Sequence, residues 1–105
     1  MATLTVSFDI HYDTEANYDR IYKALNESIR KGLPNSKWWA ETTSFYVVDV
    51  GENAGTFLGR IARESGARRT MDKIVVLDVN TKSAARWGNI RDTTIDVLVP
   101  FIQKL

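Results

Sequence analysis

Apolar and polar residues alternate strictly through the opening TLTVSFDIHY, with Leu4, Val6, Phe8 and Ile10 on one side and Thr3, Thr5, Ser7 and Asp9 on the other. Successive side chains of an extended chain point to opposite faces. The pattern therefore predicts a strand that buries one face, keeps the other polar, and carries a carboxylate near its end. The period then changes. Tyr18, Ile21, Tyr22, Leu25 and Ile29 recur at helical spacing, which predicts an amphipathic helix. Asp13 or Thr14 can cap its start, Glu15 suits the positive end of its dipole and Arg30 and Lys31 the negative end. Gly32 followed by Pro34 predicts the stop.

SKWWAETTSFYVVDVGEN is rich in aromatic and branched residues and predicts strand. It is long for one strand. We read a short strand around Trp38–Glu41, a reversal near Thr42–Ser44 and a second strand Phe45–Val50, with one long bent strand as the alternative. AGTFLGRIARESG predicts a second helix, lined by Ala54, Phe57, Leu58, Ile61 and Ala62, with Asn53 as cap and Gly66 as terminator. Gly55 and Gly59 each lower its intrinsic propensity by about 1 kcal/mol relative to Ala, so packing must hold it. ARRTMD reads as a basic loop, and KIVVLDV as an apolar strand near the centre of a sheet. NTKSAARWGN reads as a loop with room for one helical turn. In the tail, Ile95, Leu98, Val99, Ile102 and Leu105 fit a helix that Pro100 would break or kink. A strand over Thr93–Val99 followed by a terminal turn is the other reading.

The order strand, helix, strand, strand, helix, strand predicts an α+β fold of the ferredoxin-like β-α-β-β-α-β type, an antiparallel sheet with both helices on one face. A length of 105 residues predicts one domain, with residues 1–80 as its core and 81–105 as a C-terminal extension. Helices on one face leave the other uncovered. That face should carry Thr3, Thr5, Ser7 and Asp9 and one of the neighbouring Trp38 and Trp39. Exposed aromatic surface on a small domain calls for a partner, and a two-fold homodimer buries like surfaces symmetrically. The C-terminal segment is a second means of covering part of it.

Composition adds exclusions. Fourteen basic and thirteen acidic side chains leave a net charge of +1, which supplies no strong field for non-specific binding to nucleic acid, although a local basic patch remains open. Without cysteine there is no disulfide, thiol nucleophile or zinc-thiolate site. No apolar run has the length of a membrane span and the amino terminus does not resemble a signal peptide, so the expected address is the cytoplasm, with no membrane partner.

Two constellations offer chemistry. Asp9, His11 and Asp13 form D-x-H-x-D, a donor set that suits a divalent ion if the strand stays extended. The alternative is that Asp13 caps the helix and His11 is solvated. Arg60, Arg63, Arg68 and Arg69, with Lys73, make the most basic region and are the candidate nucleic-acid contacts. The alternative is a solvated helix face and loop. Trp87, ahead of Gly88, either stacks on a base or anchors its segment to the core. The single His11 leaves a Ser-His-Asp triad without support, and GENAGTFLG matches no phosphate-loop pattern.

VSFDI at Val6–Ile10, WWAETTSFYVV at Trp38–Val48, and DKIVVLDV ahead of AARWGN together resemble small proteins related to the CRISPR-associated adaptation endonuclease, in the subgroup labelled SinR-like. The virulence-associated protein D toxins share the same general fold. The resemblance spans most of residues 3–90 in order and spacing. It implies a dimer in which Asp9 faces its symmetry mate across a divalent metal, Mg²⁺ being the expected ion and Asp9 the expected catalytic residue. The near-neutral charge departs from the basic surface those proteins present to nucleic acid. The expected function is a dimeric, nucleic-acid-related interaction module without strong catalysis. The alternatives are a metal-dependent endoribonuclease or DNase using paired Asp9 carboxylates, and a regulatory domain that binds a small ligand on its sheet.

Overall fold

Strand β1 (Ala2–Asp9) follows the alternation that predicts it: Leu4 and Val6 are fully buried and Phe8 nearly so, while Ser7 and Asp9 are exposed. Helix α1 (Glu15–Arg30) begins at Thr14, whose hydroxyl accepts from the Asn17 amide at 3.2 Å. A 3-10 turn, Asn35–Lys37, leads into β2 (Trp38–Trp39), and a tight reversal leads into β3 (Phe45–Val50). No glycine marks that reversal because Ser44 itself takes the left-handed conformation, at φ 58°, which costs about 1 kcal/mol or more in a non-glycine residue. The Ser44 carbonyl accepts from the Phe8 amide at 3.1 Å, so the turn is tied to the end of β1.

Helix α2 (Ala54–Ser65) is capped by the Asn53 side chain, which accepts from the Thr56 amide at 2.8 Å. Gly66 ends it at φ +70°, the left-handed position that glycine occupies without penalty. Then follow β4 (Lys73–Asp78), β5 (Ala84–Gly88), the short helix α3 (Thr94–Leu98) and β6 (Ile102–Lys104). The computed structural model describes all 105 residues.

The chain is α+β, with six strands in the order β2-β3-β1-β4-β5-β6. Its strands pair antiparallel except for β5 and β6, which run parallel. This corrects the expectation of an all-antiparallel sheet, and the full strand order is not that of a four-stranded ferredoxin-like sheet. Helices α1 and α2 pack on the face that carries Leu4, Val6 and Phe8, where 19 buried residues form one core. Each large apolar side chain there contributes roughly 1.5–3 kcal/mol on leaving water.

Two further expectations are corrected. The stretch read as a loop, Asn80–Asn89, contains β5, and Ala85 and Trp87 from it enter the core. Small residues let β5 lie close to α2, and that contact offsets a weak local strand preference. The tail is neither one helix nor a strand over Thr93–Val99. It makes five residues of helix, turns at Val99–Phe101 next to Pro100, and returns as β6 along β5. No helix is long and apolar enough to cross a membrane.

Candidate functional site

The sheet face away from α1 and α2 can be followed strand by strand from the pairing. One row crosses it as Trp39, Val47, Thr5, Leu77, Ala84 and Ile102. The next row runs Phe45, Ser7, Val75, Arg86 and Lys104, and the end row is Asp9, Lys73 and Gly88. The first row is mainly apolar, and the second mixes Phe45 and Val75 with Ser7, Arg86 and Lys104. Their β5–β6 end is closed: Ala84 is 1% and Ile102 9% exposed, although neither belongs to the core on the helix side. Helix α3 is tied to this end. Asp96 of α3 accepts from Arg86 Nε at 2.8 Å and Nη2 at 2.9 Å and lies 3.5 Å from Lys104 Nζ, and Arg86 and Lys104 both project from this face. The paired guanidinium holds the Asp96 carboxyl below its ordinary range.

The rest of the face is uncovered. Trp39 is exposed at its edge and packs edge-on against Phe45. Val97 and Leu98, 77% and 75% exposed, project from α3. As expected, the adjacent tryptophans divide between faces: Trp38 packs on the core and Trp39 lies outside it.

Asp9 stands at the rim of the open face, exposed, opposite Lys73 in the β1–β4 register. The structure does not bring His11 and Asp13 to it. Asp13 Oδ1 accepts from the Thr14 amide at 2.7 Å and Oδ2 from Arg68 Nη1 at 2.7 Å. The backbone N–H of Thr14, followed by the Arg68 guanidinium, pulls the Asp13 carboxyl down to about 2. His11 contributes its backbone: its N–H donates to Asp72 at 2.8 Å and its carbonyl accepts from Arg68 Nη2 at 2.8 Å. Nowhere in the chain do three or more His, Cys, Asp or Glu side chains converge as a metal set.

Asp72, which sequence reading passed over, is the centre of this arrangement. It is fully buried, and its carboxylate accepts from the backbone N–H of His11 and Arg68 and from Arg68 Nε and Nη2. The signal available in the sequence is a pair of opposite charges, Arg68 and Asp72, four residues apart in a loop. Charge spacing alone does not announce burial.

The basic residues divide in two. Arg60 donates to both Glu52 oxygens, to Glu64 and to the Ser28 carbonyl, and joins α1 to α2. Glu64 also accepts from the Ser28 hydroxyl and Lys31, the hydroxyl first among the causes that lower its carboxyl to about 2. Arg68 is engaged by Asp13 and Asp72. Neither is an open cation. Arg63 and Arg69 are exposed and make no ion pair, Arg69 lying over the Trp87 ring at 5.1 Å and donating to the Leu105 carbonyl at 2.7 Å. Trp87 is only 8% exposed, which accords with an anchor.

Compared with protein-family models, with curated proteins and with solved structures, the chain matches none.

Proposed function

We propose that this chain is a self-pairing interaction module built on a ferredoxin-like core, working alongside nucleic acid and without strong catalysis. The core reading is supported by the first four strands. They lie in the order β4-β1-β3-β2, all antiparallel, with α1 and α2 as the two crossovers; β5 and β6 extend this sheet at the β4 side. The single observation that carries the interaction role is the apolar strip of exposed Trp39 and half-buried Phe45, Val47, Val75 and Leu77, with Val97 and Leu98 exposed on α3. A second copy laid across it by a two-fold axis would bury like against like. Nucleic acid is the partner class that the resemblance to CRISPR-associated endonuclease relatives implies. With Arg60 and Arg68 tied into ion pairs, phosphate contact would rest on Arg63 and Arg69.

The second reading is a Mg²⁺-dependent nuclease, favoured by one observation: Asp9 is exposed, makes no ion pair and sits on the face that would meet a twin. One carboxylate is too little to hold an ion, but two facing Asp9 side chains form a set Mg²⁺ accepts when waters or substrate phosphates complete its shell. A bound ion would polarise the phosphodiester and activate water. Lys73, across from Asp9, weakens the negative field such an ion needs.

Sedimentation velocity and a gel-shift series test both readings. A dimer at tens of micromolar, converted to monomer by Leu77→Asp, and a salt-sensitive shift of single-stranded RNA without cleavage are the expected results. A monomer throughout overturns self-pairing. Mg²⁺-dependent cleavage lost in a folded Asp9→Ala variant replaces the first reading by the second.

A further inference from the structure

Between α2 and the Arg69–Trp87–Leu105 corner lies an open groove of about 600 Å³, lined by Gly55, Gly59, Ala62, Arg63, Gly66 and Ala67 on its other side. That volume falls within the range of small-molecule sites. Two of its lining side chains are guanidinium groups, and no carboxylate side chain lines it. A third guanidinium stands at its end, for Arg20 Nη1 of α1 lies 3.5 Å from where a Cβ on Gly66 would be. Arg20, Arg63 and Arg69 pair with no acidic side chain, Arg69 being bonded to the main-chain oxygen of Leu105, whereas Arg60, Arg68 and Arg86 each have one or more such partners. Unpaired arginines converging on one concavity set up a positive field that an anion would relieve, and the guanidinium fork matches a phosphate with paired N–H bonds.

The floor of the groove carries a separate observation. At Gly55 an added Cβ would come within 2.2 Å of Gln103 Oε1, the tip of an exposed side chain that can swing aside. Gly59, one turn further along, has nothing within 4 Å of an added Cβ. A glycine in a helix interior sacrifices stability, and at Gly59 no contact inside the molecule requires it. The space above it is room for something other than this chain.

We infer that the α2 groove is a binding site for a phosphate ester, gripped by Arg63 and Arg69 and admitted over Gly59. Arg69 already lies over the Trp87 ring and donates one N–H to the Leu105 main-chain oxygen, contacts that hold its guanidinium at the groove before a ligand arrives. Arg63, exposed on α2, supplies a second fork. The site does not depend on the nucleic-acid reading, because a free nucleotide and a nucleic-acid strand present the same group.

The test is a titration of the intact protein with inorganic pyrophosphate and with AMP, followed by amide NMR. The expected result is saturable movement of the Gly55, Gly59 and Gly66 amides, with affinity lowered roughly tenfold by Arg63→Gln and further by the Arg63→Gln/Arg69→Gln pair. Gly59→Leu should abolish it by filling the floor. An unchanged far-ultraviolet circular dichroism spectrum of Gly59→Leu controls for folding. Absence of saturable shifts up to roughly 10 mM ligand, or unchanged affinity in the double variant, overturns the site. A single-stranded oligonucleotide that displaces AMP supports the site and assigns its phosphate to nucleic acid; one that fails to displace it supports a free small molecule. Oligonucleotide binding that persists while neither AMP nor pyrophosphate gives saturable shifts sinks this site and leaves the nucleic-acid proposal standing.

Discussion

Replacing Asp72 by Asn changes little in volume and removes one charge, which isolates what the buried carboxylate does. In the native protein Oδ1 accepts from His11 N–H at 2.8 Å and Arg68 Nη2 at 3.2 Å, and Oδ2 accepts from Arg68 N–H at 2.7 Å and Arg68 Nε at 3.2 Å. Every group facing the side chain is a donor. An amide keeps one acceptor oxygen and turns its NH₂ toward the donors on the other side, so at least one buried backbone N–H loses its partner. Arg68 keeps only Asp13 as a charged partner. Hydrogen bonds to a charged group contribute about 1.5–3 kcal/mol each, and stranding a member of a buried pair costs about 3–5 kcal/mol. With the geometry otherwise preserved, a loss of about 3 kcal/mol is expected from Asp72→Asn, a large share of the roughly 5–15 kcal/mol that holds such a domain. Urea unfolding followed by far-ultraviolet circular dichroism should show a lower midpoint with unchanged slope. The melting temperature should fall by roughly 10–20 °C. Arg68→Gln should be destabilising alone but add little to Asp72→Asn, because both break one network. A loss below about 1 kcal/mol for Asp72→Asn, or full additivity of the two, would refute the account of the network as the clamp between the β1–α1 and α2–β4 loops.

Acid should weaken the protein in a defined window. Asp13 and Glu64 are drawn from 3.8 and 4.5 to about 2 in the fold, so the unfolded chain binds protons first. Their contribution is complete above pH 4.5 and is lost as pH falls toward 2; urea midpoints measured across that range should drop, with a shallower slope in Glu64→Gln. The glycines predict opposite signs. Gly59→Ala should stabilise by up to about 1 kcal/mol in thermal melts. Gly88→Ala should destabilise severely, since its Cβ would fall 2.0 Å from the Asp72 carbonyl oxygen at φ +97°. Asp96→Asn should loosen α3 from the sheet, raising dye binding to the newly exposed Ala84 and Ile102 and speeding exchange of the Val99 and Ile102 amides.

Local signals determined most of the elements. Alternation in Thr3–Ile10, the helical stripe Tyr18–Ile29 and the caps at Thr14, Asn53 and Gly66 all act through near neighbours, and each is found where its pattern lies. The division of Trp38 and Trp39 between faces follows from the same two-residue period. The open sheet face and the exposed position of Asp9 on it were legible for that reason too. β5 was not: AARWG has weak strand preference, and it is a strand because α2 and β4 give Ala85 and Trp87 a place to be buried. The tail is ambiguous alone because Ile95, Leu98 and Ile102 suit several periods, and Arg86 and Lys104 decide the matter through Asp96.

The arginines mark the boundary most clearly. In the sequence Arg60, Arg63, Arg68 and Arg69 are four equal positive charges. Folding brings Glu52, Glu64, Asp13 and Asp72 to two of them, over separations of up to 55 residues, and leaves the other two beside a groove. Short-range pattern reports which backbone shape and which face a residue takes, because those depend on the next few residues. Which charges meet depends on chain segments far apart in sequence, and only the packed structure decides it.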